Sequence, residues 1–217
     1  MTNAAPLHAS FHLKTLDDND LDQSFALATQ VFVDGSTLHR ALNIQLNEYR
    51  DYLWPSFKAM VSEGLSVVSV DSTTYKILGC LIITEFSHVN APSGEKTTPF
   101  APLSALTSEL VSRYSRKRDL RRGEAVLVDI GAVALEASGK GIYKAMRKRA
   151  NQVAHDHGFR FVLGELSSSA TQRVVLTRMG HRKIAEVRFS DFEYEGSRPF
   201  ASISDPESIV MSEGDLV

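Results

Sequence analysis

Apolar and polar positions alternate from Phe11 to Leu16, which predicts a first strand. Asp17, Asp18, Asn19 and Asp20 follow, residues whose short polar side chains suit the start of a helix. Leu21, Phe25, Ala28 and Phe32 then recur at helical spacing, and Asp34-Gly35-Ser36 is expected to stop that helix. A second helix is predicted from about Ile44 to Glu63, with Pro55 expected to kink or restart it. Leu65–Val70 and Ile77–Glu85 are apolar runs separated by the polar turn Asp71–Thr74, so they read as an antiparallel hairpin.

Ser87–Pro102 is rich in Pro, Ser, Thr and Gly and reads as a loop, after which Leu103, Leu106, Leu110, Val111 and Tyr114 suggest a helix. Ala125–Leu135 is apolar except for Asp129, the pattern of a central strand covered on both faces. Gly141–His157 carries a helical stripe of Ile142, Ala145, Met146, Ala150 and Val153, with Gly158 placed to end it. Phe159–Leu166 is another strand, and Ser168–Met179 a short helix closed by Gly180. Ile184–Tyr194 alternates like a strand, and Ala201–Met211 is expected to hold a last strand interrupted by Pro206. The predicted order, β-α-α-β-β-α-β-α-β-α-β-β, centres on one strand-helix-strand crossover with a glycine turn between Leu135 and Ile142.

Composition adds limits. The 217 residues, 43% hydrophobic and 23% charged, suit one domain spanning 1–217, with a tail over about 1–9 and a loop-and-helix insertion over 86–122. A net charge of -2 gives no bulk attraction to nucleic acid or to an anionic membrane. The single cysteine, Cys80, excludes an intrachain disulfide and sits in an apolar run as a core residue. The start of the chain lacks a secretory pattern, and no run approaches the ~18–20 apolar residues of a membrane span. A cytoplasmic monomer or homodimer is the expectation. Arg113, Arg116, Lys117, Arg118, Arg121 and Arg122 read as a solvated helix end, with contact to a ligand phosphate as the alternative. His155 and His157 lack the further ligands of a zinc site, so no metal is expected.

The chemistry concentrates at Ser138-Gly139-Lys140-Gly141-Ile142. A strand that ends in a glycine turn and opens a helix aims free backbone N–H groups and a partial positive charge at one point, a site for phosphate. Gly141 stands after Lys140 where a Walker loop needs its hydroxyl, and Lys144 stands where a Rossmann fingerprint needs its third glycine.

This turn resembles the acetyl-CoA pyrophosphate loop of the GNAT superfamily of N-acetyltransferases, whose pattern is Arg/Gln-x-x-Gly-x-Gly/Ala. Ser138 takes the first position, Gly141 the central glycine and Tyr143 the last. The element order from Phe11 onward follows the family, and Met179-Gly180-His181 is similar to its closing Leu-Gly-Phe. Phe192–Phe200, Phe32-Val33-Asp34-Gly35-Ser36 and the Ser/Thr-rich stretch Ser167–Thr171 are similar to the arylalkylamine branch of insect acetyltransferases. The resemblance implies an α/β fold: a mixed, mostly antiparallel sheet with helices on both faces and a central β-α-β crossover that binds acetyl-CoA. It implies coenzyme contacts at Ala132, Val133 and Leu135, and at Ser138, Gly139, Lys140, Gly141, Ile142, Tyr143 and Lys144, with the donor entering where Ala125–Leu135 and Phe159–Leu166 splay apart.

Acetyl transfer to an amine requires removal of a proton, stabilisation of an oxyanion and stabilisation of a leaving thiolate. Asp129, the only charge within its strand, reads as the base or as a structural carboxylate, on one face with Gly131 and Val133 by alternation. By resemblance, Ser167 and Thr171 match two serines that the arylalkylamine branch uses near the thiolate and the amine; capping a helix is the other explanation for a serine there. Gly35 stands where that branch carries a glutamate. Tyr49 and Trp54 lie on the helix that lines the acceptor pocket in this family. The reading is an enzyme acetylating a small primary amine such as an arylalkylamine or polyamine. A protein lysine or N-terminus as acceptor, or a non-catalytic acyl-CoA-binding protein, are the alternatives.

Overall fold

The computed structural model describes residues 10–88 and 98–216, so the tail expected over 1–9 and part of the loop expected before the fourth helix lie outside the described residues. The chain order is β1 (Phe11–Thr15), α1 (Leu21–Gly35), α2 (Thr37–Ala41), α3 (Leu46–Ser62), β2 (Val67–Asp71), β3 (Ile77–Glu85), α4 (Ala101–Ser115), β4 (Ala125–Val133), α5 (Ile142–Asp156), β5 (Phe161–Leu166), α6 (Ser169–Gln172), β6 (Arg182–Arg188) and β7 (Ser208–Asp215). A π-helical turn, Arg173–Arg178, extends α6. The strands form one seven-stranded sheet in the order β1-β2-β3-β4-β5-β7-β6. Every neighbouring pair is antiparallel except β4 and β5, which are parallel and are joined by α5. This is the mixed, mostly antiparallel sheet and central crossover expected from the sequence.

Each face of the sheet is buried by the helices whose apolar stripes meet it. Phe25 and Ala28 of α1, and Tyr49, Leu53 and Phe57 of α3, pack with Val68, Val70, Cys80 and Ile82. Ile142, Met146, Ala150 and Val153 of α5 pack with Val67, Leu81 and Val126 on the opposite face. Truncation of a buried side chain such as Met146 would cost about 2–5 kcal/mol. Leu106, Leu110 and Tyr114 of α4 cover the far end, over Leu163, Val187 and Met211.

Four details depart from the sequence reading. Ser36 does not merely end α1; its Oγ accepts a hydrogen bond from the His39 backbone N–H at 3.3 Å and starts the extra helix α2. Pro55 leaves α3 unbroken, because it lies on the exposed side, where water takes the carbonyl that a proline cannot satisfy. β6 ends at Arg188, and the alternating residues beyond it are not a strand: Phe189, Phe192 and Phe200 fold back as buried aromatic anchors. β7 starts after Pro206 and runs to Asp215, beyond the expected end at Met211, because its polar residue Glu213 is buried and satisfied. Glu213 accepts from the Tyr114 hydroxyl at 2.6 Å, from Arg118 at 2.8 Å and from Arg182 at 2.8 Å.

Those bonds also settle the basic run. Arg118 binds Glu213, Arg113 donates to the Glu186 carbonyl at 2.8 Å, and Lys117 donates to the Ile184 carbonyl at 2.8 Å. They tie α4 to the edge of the sheet. Cys80 is fully buried, and burial pushes its thiol up to about 12. Among the described residues no helix is long and apolar enough to cross a membrane, and no group of three or more His, Cys, Asp or Glu could hold a metal ion.

Candidate active site

The site begins with a failure of strand pairing. β4 and β5 are paired from Ala125↔Phe161 to Val128↔Gly164 and no further. Beyond that point β4 stays with β3 as far as Gly79↔Val133, while β5 stays with β7 as far as Leu166↔Val210. Two neighbours therefore hold the parallel strands apart, and a wedge opens between them.

A β-bulge sits at its apex. Ile82 pairs with Ile130 and Ile83 with Val128, so Asp129 has no partner in β3. The bulge reverses the alternation of β4. Val126 and Val128 join the core under α5, whereas Ile130 and Ala132 join the core under α1 and α3. Gly131 and Val133 thus face α5, and Asp129 does not share a face with them by simple alternation. Its charge acts instead on Tyr49 of α3 and on Glu165 of β5.

A cavity of about 430 Å³ occupies the wedge. One wall is aromatic and hydroxylated: Phe32, His39, Tyr49, Tyr52, Ser56 and Thr107. The Tyr49 ring meets His39 edge-on at 4.5 Å, and Tyr52 stacks on Phe100 at 4.0 Å, so the wall is braced from behind. Trp54 is not part of it and packs against Phe25 at 4.7 Å. Gly35 lines the cavity with open space at its Cβ position, while Asp34 is tied to Gln30 at 2.7 Å on the helix surface.

The floor carries two carboxylates. Asp129 is open to water that enters the cavity, yet protein surrounds it as densely as an interior site; that desolvation raises its carboxyl to about 6. Glu165, one residue past the last β4–β5 pair, is raised to about 8, first by burial and then by the charge of Asp129. Burial and their mutual repulsion oppose ionisation of both carboxyls at once. Glu165 is a candidate functional residue that the residue pattern of β5 alone does not mark as reactive. The signal was its place on β5: with pairing ending at the residue before it, β5 can direct it into the wedge.

Ser167, Ser168 and Thr171 lie on the same cavity. Ser168 caps α6, its Oγ accepting from the Thr171 backbone N–H at 3.2 Å and lying 2.9 Å from the Thr171 hydroxyl. Thr171 also donates to the Ser168 carbonyl at 2.9 Å. Capping therefore falls to Ser168 and engages Thr171, and Ser167 is left out of it.

The α5 end of the wedge is built from backbone. Gly139 and Gly141 have φ of +76° and +79°, and nothing lies within 4 Å of a Cβ at either. Gly141 is the residue before the first helical turn. The N–H groups of that turn have no partner within the helix, and Ile142, buried in the core, fixes where they point. Ser138 and Lys140 flank the turn and are exposed. Leu135 is 88% exposed beside it. The Ala132 side chain turns into the core under α1 and α3, and its N–H is directed at Cys80 of β3. The Ala134 N–H likewise donates to Leu78 at 2.9 Å, so by alternation the Gly131 and Val133 amides point into the wedge.

Tyr143 replaces the small residue of the glycine pattern, and Gly131 makes room for it: a Cβ on Gly131 would stand 2.8 Å from the Tyr143 ring. Arg147 stands in a basic run with Lys148 and Arg149, a pattern that by itself suggests a solvent-facing side chain, yet it is fully buried while Lys148 and Arg149 are exposed. Its spacing of one turn from Tyr143, and three residues from Ala150, is the signal that places it on the inner face.

The fold has close counterparts among solved structures. The C-terminal condensation domain of Ebony, in complex with β-alanyl-dopamine, is matched with a TM-score of 0.85 and 14% identity, over 95% of this chain and 99% of that one. Mosquito arylalkylamine N-acetyltransferase like 5b gives 0.80 and 17%, over 95% and 100%. Arylalkylamine N-acetyltransferase 2 from Aedes aegypti gives 0.76 and 18%, over 95% and 99%. No protein-family model matches the chain. At these identities what is shared is the fold, and the GNAT resemblance read from the sequence holds at that level.

Proposed function

We propose that the protein is an N-acetyltransferase that moves an acetyl group from acetyl-CoA to a small primary amine by direct attack. One observation carries this reading: the cavity that holds Asp129 reaches Tyr143 in the first turn of α5, the helix that starts at the open glycine turn of Gly139 and Gly141. The arylalkylamine and polyamine acetyltransferases that share the fold support an amine as acceptor.

In this mechanism the coenzyme pyrophosphate lies over Gly139–Lys144 and the thioester arm runs along β4 into the wedge. The amides of Gly131 and Val133 polarise the thioester carbonyl and hold the oxyanion. The amine arrives as an ammonium ion between the aromatic wall and the carboxylates, and gives one proton to Asp129. Its lone pair then attacks the carbonyl carbon. The new C–N bond forms, the C–S bond breaks, and the nitrogen passes its second proton to the leaving sulfur through the Ser167 hydroxyl. The Ser167 hydroxyl donates to the leaving sulfur, which departs as the thiol after taking up a proton. Glu165, protonated at neutral pH, keeps a second negative charge away from Asp129 and leaves that carboxylate as the single base.

The test is thiol release from acetyl-CoA across arylalkylamines, polyamines, aminoglycosides and amino acids, with coenzyme binding measured by calorimetry. Turnover with a member of the panel is the expected result, and absence of coenzyme binding would overturn the reading. A second reading, acyl-CoA binding without turnover, is favoured by Tyr143, a bulky residue that lines the cavity beside Gly131 where the family pattern has a small one. Binding with no thiol released for any amine would select it.

A further inference from the structure

The guanidinium of Arg147 has no surface exposed to water, and its Nε, Nη1 and Nη2 find no hydrogen-bond partner among the described residues. The fold does not lack acids for arginines, since Glu213 alone serves Arg118 and Arg182. The groups that sense Arg147 are Tyr143, one helical turn earlier, and His181. The latter brings no compensating charge: burial first, and Arg147 after it, hold its imidazole down to about 4, neutral at physiological pH. Gly164 provides the room, for a Cβ there would lie 3.5 Å from Nη1. A buried cation left without an anion costs several kcal/mol, and an apolar side chain of equal length would avoid that cost. Yet Arg147 belongs to the wall of the cavity.

We propose that Arg147 receives a carboxylate of the substrate, so that the preferred reaction partners include one that carries a carboxylate, either on the acyl chain of the donor or on the acceptor amine. Position along α5 argues for this group rather than a coenzyme phosphate. Arg147 is five residues beyond Ile142, hence about 7–8 Å deeper than the helix N-terminus where phosphates are held. What reaches that depth is the acyl end of a donor or the acceptor beside it. A planar guanidinium with its nitrogens free matches a carboxylate with two parallel hydrogen bonds. The acceptor end of the same cavity holds Asp129, which suits the ammonium of an amino acid as it suits that of a simple amine. The proposal rests on the acyltransferase reading but is tested separately from it.

The experiment uses matched pairs: acetyl-CoA against succinyl-CoA as donor, and tyramine against tyrosine as acceptor, with wild type, Arg147→Met and Arg147→Lys. Thermal shift with free succinate is recorded for each. The expected result is that wild type prefers the carboxylate-bearing member of one pair, in kcat/KM, by about tenfold or more, as a desolvated charge pair provides. The donor pair or the acceptor pair then identifies the source. Arg147→Met erases the preference, Arg147→Lys keeps part of it, and succinate raises the melting temperature of wild type but not of Arg147→Met. If neither pair is discriminated and succinate shifts nothing, the proposal is overturned while acetyl transfer to tyramine can still stand. If no donor releases thiol but succinate stabilises wild type alone, the carboxylate site stands and the acyltransferase reading falls. Should Arg147→Met fail to fold, Arg147→Lys and the succinate shift of wild type decide the matter.

Discussion

The two sides of the wedge are made of different material. The proposed donor side is backbone: amides of the first turn of α5 and of β4, aimed by Gly139, Gly141 and the buried anchor Ile142. The proposed acceptor side is side chains from separate elements: Tyr49 and Tyr52 of α3, Asp129 of β4, Glu165 of β5 and the hydroxyls beyond it. A backbone site tolerates sequence change as long as the turn forms, which is why Ser138 and Tyr143 can depart from the glycine pattern without removing the cradle. A side-chain site changes with every substitution, so Gly35 in place of an acid rewrites the acceptor end while leaving the donor end alone. The comparison makes a separable prediction: changes on one side alter binding of the donor, and changes on the other alter chemistry on the amine.

The largest effect belongs to Asp129→Asn. Loss of a general base lowers kcat/KM by about 10²–10⁴-fold. In wild type the rate rises with pH through about 6, as Asp129 sheds its proton, and the Asn variant lacks that limb. Steady-state kinetics across pH, with calorimetry of acetyl-CoA, provide the check. A fall in coenzyme affinity as large as the fall in rate would erase the distinction between the two sides.

Gly141→Asp is the reciprocal change. It places a negative charge on the anion cradle and forces a side chain into φ of +79°. Acetyl-CoA affinity is expected to fall about a hundredfold, equivalent to about 2.7 kcal/mol. Gly141→Ala carries only the backbone strain, roughly 1–2 kcal/mol of stability. Calorimetry and melting curves on both variants separate charge from strain. Equal loss of affinity in the two would mean that geometry, not charge, holds the phosphate.

How much was legible follows the same division. The stripe of Ile142, Met146, Ala150 and Val153, the apolar run around Asp129 and the glycine turn are local patterns, and each formed where it was read. The wedge needed knowledge of pairing: nothing in β4 alone says that its bond to β5 stops at Val128. The bulge at Asp129 is likewise a property of two strands, and it overturned the face assigned by alternation. Arg147 was visible as a letter but not as a buried charge, because the room for its guanidinium depends on a distant neighbour without a side chain, Gly164. β7 was misplaced because Ser212 and Glu213 look like a polar tail until Tyr114, Arg118 and Arg182 arrive from distant segments.

Glu165→Gln sharpens the comparison through stability. The folded-state carboxyl is raised to about 8 from an ordinary 4.5, so its ionised form is penalised in the folded protein. Above pH 8 both states are ionised and the penalty is complete. As pH falls from 8 to 4.5 the folded state takes up a proton that the unfolded state does not, and stability rises; below 4.5 nothing more is gained. Glutamine carries no charge to penalise. The variant should therefore melt higher than wild type above pH 8, by about 2–4 °C for each kcal/mol relieved, with the difference shrinking towards pH 4.5. Melting curves at pH 9, 7 and 4.5 test it, and a constant offset would show that Glu165 is ionised throughout. No such pH-dependent gain is expected from changes at Gly141.

The smallest effects separate neighbouring serines. Ser168 caps α6, so Ser168→Ala should lower stability by about 0.5–2 kcal/mol. Activity then follows only as far as the loop moves. Ser167 has no part in the cap, so Ser167→Ala should leave the melting temperature close to that of wild type. If its hydroxyl meets the leaving sulfur, kcat falls by roughly tenfold, the worth of one hydrogen bond made in the transition state. KM for the amine should hold. The double variant is informative because the two losses reside in different quantities: stability from Ser168 and kcat from Ser167 should add without coupling. A loss of kcat from Ser168→Ala, with none from Ser167→Ala, would transfer the role at the sulfur to the cap itself and to the Thr171 hydroxyl bonded to it.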